Sequence, residues 1–258
     1  GLAALNGYVP NLAKDNTALR IYGGDLNGNL WGFDINVGTN NVYKIASKLG
    51  AITAPPQVSN VGSNVVLFFG TGRYLGEIDL KTEETGAIYA IKDKTITTSG
   101  AEITVSDPSV PISELTEIKD GSANAVNWSE KSGWYYRLTR PGERVVISAQ
   151  KYGPVLLVAS VLPVVLKSCE MGGTGYLYAF NAETGLAAYG NSFLYSTFST
   201  PLVGMTVFQK KDRKTGHVLG VGGDDTEVIV DLPFDDDGGP GQGSGRGARI
   251  MWQELNSN

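Results

Sequence analysis

Three observations on this 258-residue sequence predict an all-β fold. First, one strand–turn unit recurs. It reads GGDLNGNLWGFDI at Gly23 to Ile35, GGTGYLYAFNAETG at Gly172 to Gly185 and, in degenerate form, GAIYAIKD at Gly86 to Asp93. Second, glycine supplies 34 residues, nearly twice the roughly 7% of ordinary usage, as many tight turns require. Third, apolar residues rarely recur at helical spacing. In the first unit Leu30, Trp31 and Phe33 take the large apolar positions, and in the second Leu177, Tyr178 and Phe180 do so. A repeated unit that cannot bury its own face needs neighbours to cover it. The expected architecture is therefore a β-propeller or part of one. A blade takes roughly 40–50 residues, so three or four blades in an open array are expected.

The elements follow in order. Leu2, Leu5 and Val9 are apolar without a clear period, and Asp15-Asn16-Thr17 is a turn. Arg20 to Ile35 is strand, glycine turn and strand; Val42 to Ile45 is a strand. Ala54-Pro55-Pro56 marks a strand entrance, where proline costs no ladder bond, and Val58 begins the strand. Val65 to Phe69 is a dense apolar run that suits a strand buried on both faces. GTGRYLG, Gly70 to Gly76, forms a tight corner, and Ile88 to Ile91 is again strand. Residues 94–131 are polar and proline-bearing and read as an insertion over one face of the sheets, with a helical turn or two in Ile112 to Lys119 capped by Ser113. Trp134 to Leu138 and Arg144 to Ser148 are strands. Pro154 to Leu166 reads as two buried strands divided at Pro163. Tyr176 to Phe180 leads into Ala182-Glu183-Thr184-Gly185, whose glycine suits the left-handed position of a short hairpin loop. Thr200 to Val207, His217 to Val221, Glu227 to Leu232 and Arg249 to Leu255 complete the strands, the last carrying Met251 and Trp252. Residues 235–247, DDDGGPGQGSGRG, have the composition of a flexible loop. Trp31, Phe33, Tyr178, Phe180 and Trp252 are expected to point into the core.

Composition excludes several functions. The formal charge is −5 with no basic block, which argues against nucleic acid, because phosphate binding needs clustered Lys and Arg. Lys210, Lys211, Arg213 and Lys214 fit a solvated hairpin tip. The longest apolar run, Pro154 to Leu166, is shorter than the ~20 residues that cross a bilayer as a helix. No signal peptide is visible, and a chain starting at Gly1 is expected to be a mature or cut product. Cys169 is the single cysteine, so it is expected to stay a thiol or to pair outside this sequence.

The candidate chemistry is thin. Asp235, Asp236 and Asp237 are consecutive, as are Asp224 and Asp225, so neighbouring side chains diverge. Asp25, Asn27 and Asn29 alternate and could converge on a cation, although calcium wants six to eight oxygens. GTGRYLG lacks the Lys-Ser/Thr pair and following helix of a phosphate loop, and Arg73 is expected to pair with a nearby acid. The one histidine, His217, sits in a KTGH turn with no GxSxG partner; HExxH and CxxC are absent. Hydrolysis and redox chemistry have no visible players.

Read together, YGGDLNGNLWGFDI from Tyr22, APPQV from Ala54, LFFGTGRYLG from Leu67, IYAIKD from Ile88, GWYYRL from Gly133, GERVV from Gly142, GGTGYLYAF from Gly172 and RIMWQEL from Arg249 resemble the C-terminal part of the PilY/PilC family. The likeness covers nearly the whole chain except 94–131 and the glycine-rich loop. It implies a modified, quinoprotein-like propeller fragment over residues 1–258, in a non-enzymatic type IV pilus biogenesis factor and tip-associated adhesin. Implied partners are pilins or minor pilins, the N-terminal part of the same protein, and a host or mineral surface. The implied location is the bacterial cell surface, at the pilus tip or outer membrane, reached through the periplasm, with a role in twitching motility. The family's calcium loop would fall at Lys14 to Leu19, where Asp15 and Asn16 are the candidate oxygens and the family's acidic alternation is missing. GGTGYLYAFNAETG also resembles the repeat of quinone-dependent dehydrogenases, which leaves a fragment of such a propeller enzyme as the alternative.

Overall fold

A computed structural model describes residues 1–11, 14–35, 41–164, 172–190, 192–209, 215–223 and 225–233. These residues form four sheets. The first is the meander β1 (Leu2–Tyr8), β2 (Arg20–Asp25), β3 (Leu30–Asp34) and β4 (Val42–Ala46). The second contains β5 (Gln57–Val61), β6 (Asn64–Gly70), β7 (Ala87–Thr97), β8 (Leu115–Ile118) and β9 (Gly133–Arg137), ordered β5-β6-β7-β9-β8. The third is the meander β10 (Gln150–Tyr152), β11 (Val155–Val164), β12 (Gly172–Asn181) and β13 (Leu194–Phe198). The fourth is β14 (Leu202–Gln209), β15 (Thr215–Gly222) and β16 (Glu227–Pro233). Every pairing is antiparallel except β8 on β9, which is parallel.

The sheets stack in chain order through their opening strands. β1 contacts β5, β5 contacts β10, and β10 contacts β14. Three apolar clusters fill the seams. Tyr22, Leu30 and Ile45 of the first sheet meet Leu67, Phe69, Tyr89 and Ile91 of the second. Phe68, Ile88, Trp134 and Tyr136 turn the other way and meet Leu156, Val158, Tyr178 and Phe180 of the third. Leu157, Ala159, Leu177 and Ala179 then meet Leu202, Val218 and Leu232 of the fourth. Because side chains alternate along a strand, a sheet covered on both faces needs apolar residues at every position. That is why NVVLFFG and VLLVASV are almost wholly apolar, Ser160 being spent on Glu143. The middle seam is aromatic: Trp134 lies 5.2 Å from Phe180, and Phe193 lies 4.8 Å from Phe180 and 4.9 Å from Tyr136.

Turn chemistry fixes register. Gly28 has φ +78°, and a Cβ there would lie 2.7 Å from the Gly50 amide, so the β2–β3 corner requires glycine. Gly185, at φ +76°, takes the left-handed position expected of it, and the Asn181 side chain accepts from the Glu183 and Thr184 amides, each at 3.0 Å.

Several expectations are corrected. Residues 2–8 form a strand without apolar alternation, because β1 is an edge strand with Leu5 47% exposed. Ile112–Glu114 is a 3₁₀ turn with no side-chain cap from Ser113, and Leu115–Ile118 is strand rather than helix. Leu115 and Ile118 are buried where β8 pairs with β9. Residues 94–131 thus supply a sheet strand, and the Val110 amide also donates to the Ile45 carbonyl at 2.7 Å. Arg144 to Ser148 is not a strand; Arg144 makes only an isolated bridge to Val161. β11 runs unbroken through Pro163, which pairs with Gly173 beyond the reach of β10, whose pairing with β11 goes no further than Gln150 opposite Leu157.

Trp31 and Phe33 are half-buried, on the face of the first sheet turned away from the second; Leu30 takes the core side. Tyr178 and Phe180 are buried as expected. Trp252, the expected strand at 249–255 and the 235–247 loop lie outside the described residues. Phe180→Ala is expected to cost about 3–5 kcal/mol, the range for a truncated core aromatic, and Trp31→Ala about 1–2 kcal/mol. Urea unfolding of both variants checks the difference; equal losses would overturn the face assignment.

Candidate functional site

The residues at the family's calcium-loop position lie between β1 and β2. The Asp15 carboxylate is exposed and accepts from the Thr17 amide at 2.9 Å and the Thr17 hydroxyl at 2.5 Å. These bonds hold its pKa below the usual carboxylate value. Asn16 beside it is exposed. The Asp25–Asn29 turn uses its oxygens internally. Asp25 Oδ1 accepts from the Asn27 and Asn29 amides, and Oδ2 accepts from Asn29 Nδ2 and Trp31 Nε1, all within 3.0 Å. Four donors on one carboxylate close a turn and fix Trp31. Among the described residues no group of three or more His, Cys, Asp and Glu could hold a metal ion. Asp224, Asp235, Asp236, Asp237, Cys169 and the Lys210–Lys214 group lie outside the described residues. His217 is inside β15 rather than at a turn, with Nδ1 2.5 Å from Asp231. No helix among the described residues is long and apolar enough to cross a membrane.

Two buried polar bridges tie the seams together. In the first, Arg20 of β2 is fully buried and donates from Nε to Asp34 Oδ1 at 2.5 Å and from Nη1 to Asp93 Oδ2 at 2.8 Å and to the Thr95 hydroxyl. Tyr22 donates to the same Asp93 oxygen at 2.8 Å. Burial opposes the Arg20 charge, but Asp34 and Asp93 outweigh it and raise its pKa; burial and Asp93 raise that of Tyr22. In the second bridge, Glu143 is fully buried and accepts from the Ser160 hydroxyl and from Tyr178 at 2.7 Å, and Arg140 approaches its other oxygen at 3.3 Å. Arg140 also lies 4.1 Å over the Tyr176 ring. Burial first, and Glu143 second, push the Tyr178 pKa up. The sequence marked neither bridge as functional, since Asp93 is 73 residues from Arg20. The charged residues that close IYAIKD and those in GERVV were the available signal.

The GTGRYLG corner behaves as expected of Arg73. Its Nε lies 2.5 Å from Asp79 Oδ1, while Asp79 Oδ2 accepts from the Leu75 and Gly76 amides. Behind it Arg144 is buried and donates only to main-chain carbonyls: Gly142 at 2.9 Å, Arg73 at 2.8 Å, Asp79 at 2.6 Å and Thr82 at 3.1 Å.

The two outer sheets each present an apolar face. Register places Leu5, Ile21, Trp31, Phe33, Val42 and Lys44 together on the first sheet, with Val42 52% exposed. On the fourth, Phe208, Leu219, Val221 and Ile229 share a face with Glu227 and Asp231, and Ile229 is 62% exposed. Contiguous exposed apolar residues of this kind mark interaction surfaces.

No protein-family model matches the chain. It is similar to a type IV pilus biogenesis factor PilY1 homolog of Xylella fastidiosa (strain Temecula1), with 26% identity over 97% of this chain and 22% of that protein. A second homolog from that organism is 25% identical over 71% of this chain and 14% of its own length. Type IV pilus biogenesis factor PilY1 of Pseudomonas aeruginosa PAO1 is 25% identical over 68% of this chain and 20% of its own. The chain therefore spans 22% or less of the length of these relatives and matches their C-terminal region. Among solved structures, Saccharomyces cerevisiae Sqt1 aligns at TM-score 0.30 and 10% identity, over 90% of this chain and 72% of that one. An exo-1,5-α-L-arabinanase from a bovine ruminal metagenomic library aligns at TM-score 0.30 and 9% identity, over 92% and 97%.

Burial raises the Asp25 pKa, but bonds from Asn29, Trp31 and Asn27 outweigh it and bring the value down to about 2. A carboxylate depressed in the folded state stabilises above its unfolded pKa, near 3.9, and that stability is lost as pH falls through the folded value. Asp25→Asn is expected to lower stability by about 2 kcal/mol at pH 7. The gap to the unmodified chain should narrow below about pH 4. Urea midpoints across pH 2–7 check this; a constant gap would refute it.

Proposed function

We propose that this chain is a non-enzymatic module of a type IV pilus biogenesis factor that works at the bacterial cell surface by binding. The observation that carries this reading is the similarity to a PilY1 homolog across 97% of the chain. The module is an open segment of a modified, quinoprotein-like β-propeller. Sheets that follow one another in chain order, with their opening strands in contact, support a radial arrangement of blades. Residues 94–131 and 235–247 are proposed as an insertion and a loop of this one domain. Export through the periplasm to the pilus tip or outer membrane, and a part in adhesion and twitching motility, belong to the same proposal.

The binding surfaces are the outer faces of the first and fourth sheets. Val42 and Ile229 are too exposed to be spent on the chain's own core. The proposed occupants are the N-terminal part of a longer protein and a minor pilin; the surface the pilus attaches to is a further partner. Catalysis is not part of the proposal. The most buried ionisable groups, Arg20 and Glu143, are consumed in bridges between elements.

Calcium control through Asp15 and Asn16 is also left out of the proposed mechanism. One carboxylate, already bonded to Thr17, cannot replace a hydration shell of six to eight oxygens. Calorimetry at micromolar calcium is expected to give the same trace for the chain and for Asp15→Ala. Micromolar binding that vanished in the variant would refute this.

Deleting the gene in a bacterium that carries it should reduce surface pili, attachment and twitching, and re-expression should restore them. Normal behaviour in all three assays would sink the assignment. A bound quinone in the absorption spectrum, with turnover of alcohols, would instead support the dehydrogenase reading.

A further inference from the structure

A cavity of about 320 Å³ opens beside the GTGRYLG corner, between the loop that follows β4 and the start of β7. We propose that it binds a small carboxylate bearing hydroxyl groups, of the size and chemistry of an acidic monosaccharide. The pilus assignment is not needed for this; the cavity itself carries it.

The first support is charge. Four cations line the wall, Lys48, Arg73, Arg137 and Arg144, against the two carboxylates of Asp79 and Glu84; Arg137 also lies 3.3 Å from Glu117, outside the lining. Asp79 is spent on Arg73 and on the Leu75 and Gly76 amides. Arg144, 2% exposed, reaches no carboxylate within salt-bridge distance among the described residues, and main-chain carbonyls satisfy its donors. Buried charges are ordinarily paired. Burial disfavours the Arg144 charge, and Asp79 and Glu84 offset this without touching it, so the cavity beside the guanidinium is where a contacting anion fits. Lys48 likewise has no ion-pair partner among the described residues. Its backbone sits at φ +59°, in the left-handed region that a lysine rarely adopts. Non-glycine residues held there concentrate at ligand sites.

Size and lining narrow the ligand. A volume near 320 Å³ lies at the small end of ligand cavities and exceeds what a bare inorganic anion fills. Thr71, Thr82, Thr85 and Tyr89 are among the lining residues, their hydroxyls bonded to main-chain groups around the wall. Tyr89 donates to the Leu49 carbonyl at 3.3 Å, which leaves its oxygen able to accept. Burial raises its pKa to about 12, so the phenol stays neutral beside an anion. A polyhydroxy carboxylate meets the cations with its charge and the hydroxyls with its own.

The test is calorimetric titration of the intact chain with sodium glucuronate at constant ionic strength, with glucose and inorganic phosphate as comparisons. Glucuronate should bind, and glucose should not. Lys48→Ala and Arg137→Ala, both exposed and safe for folding, should each weaken binding about tenfold, the loss of one charge-assisted bond. Glu84→Gln should strengthen it, because a like charge leaves the wall. Absence of glucuronate binding up to about 10 mM, a scale weaker than 3 kcal/mol, would overturn the proposal. So would equal binding of glucose, phosphate binding in place of glucuronate, or an affinity unmoved by all three substitutions.

Discussion

The structure depends on the second and third sheets being covered on both faces. β6 sends Val66 and Phe68 to one neighbour and Leu67 and Phe69 to the other. β7 and β9 divide their side chains in the same way, and β11 and β12 do so between the third sheet's two neighbours. A one-residue slip in any of these strands would exchange the two clusters, and the aromatic seam around Trp134 and Phe180 would meet the smaller residues cut for the opposite side. Register is therefore over-determined in the middle of the array and looser at the outer sheets, whose second faces have no neighbour among the described residues.

The part of the fold that was legible follows from this constraint. Dense apolar runs, as in Val65 to Phe69 and Val155 to Ala159, announce a strand buried on both faces. Glycine corners announce turns, and Gly28 and Gly185 have the positive φ those turns need. The errors share one cause. An alternating strand such as LWGFD shows that its two faces differ, but not which face is covered. Trp31 and Phe33 looked like core because they are large, yet Leu30 holds the core position. β8 was hidden because Leu115–Ile118 has short-range features of a helical turn, while the parallel slot beside β9 that claims it lies 18 residues away. Pro163 was read as a break because its tolerance depends on a neighbour, β10, that stops short of it.

The candidate sites were less legible than the fold, for a related reason. The sequence drew attention to local acidic clusters. In the described part of the chain the carboxylates of Asp15 and Asp25 turn out to close their own turns. The charges that matter to the architecture act at long range, and nothing in the residues around Arg20 points to Asp93. The resemblance to pilus factors rested on strand–turn segments spread along the chain, and two of these meet at a seam: YGGDL and IYAIKD touch where Tyr22 donates to Asp93.

Arg20, Glu143 and Arg144, three of the buried ionic groups, are compensated to different degrees, and the difference separates structure from binding. Arg20 faces two carboxylates and a ring, so its charge is neutralised within the fold. Glu143 has Arg140 and two hydroxyls. Both groups sit at seams between packed sheets, where removing one partner would strand the other without water, the costly outcome for a buried pair. Arg144 sits at the edge of a cavity and faces carbonyls. Four dipoles hold it in place and lock the corner after β6, while Asp79 and Glu84 act on its charge without direct contact. A fold that needed only to fix that corner would be served by neutral hydrogen bonds. A buried guanidinium there, with Lys48 on the same wall lacking an ion-pair partner among the described residues, suits the anion site proposed above.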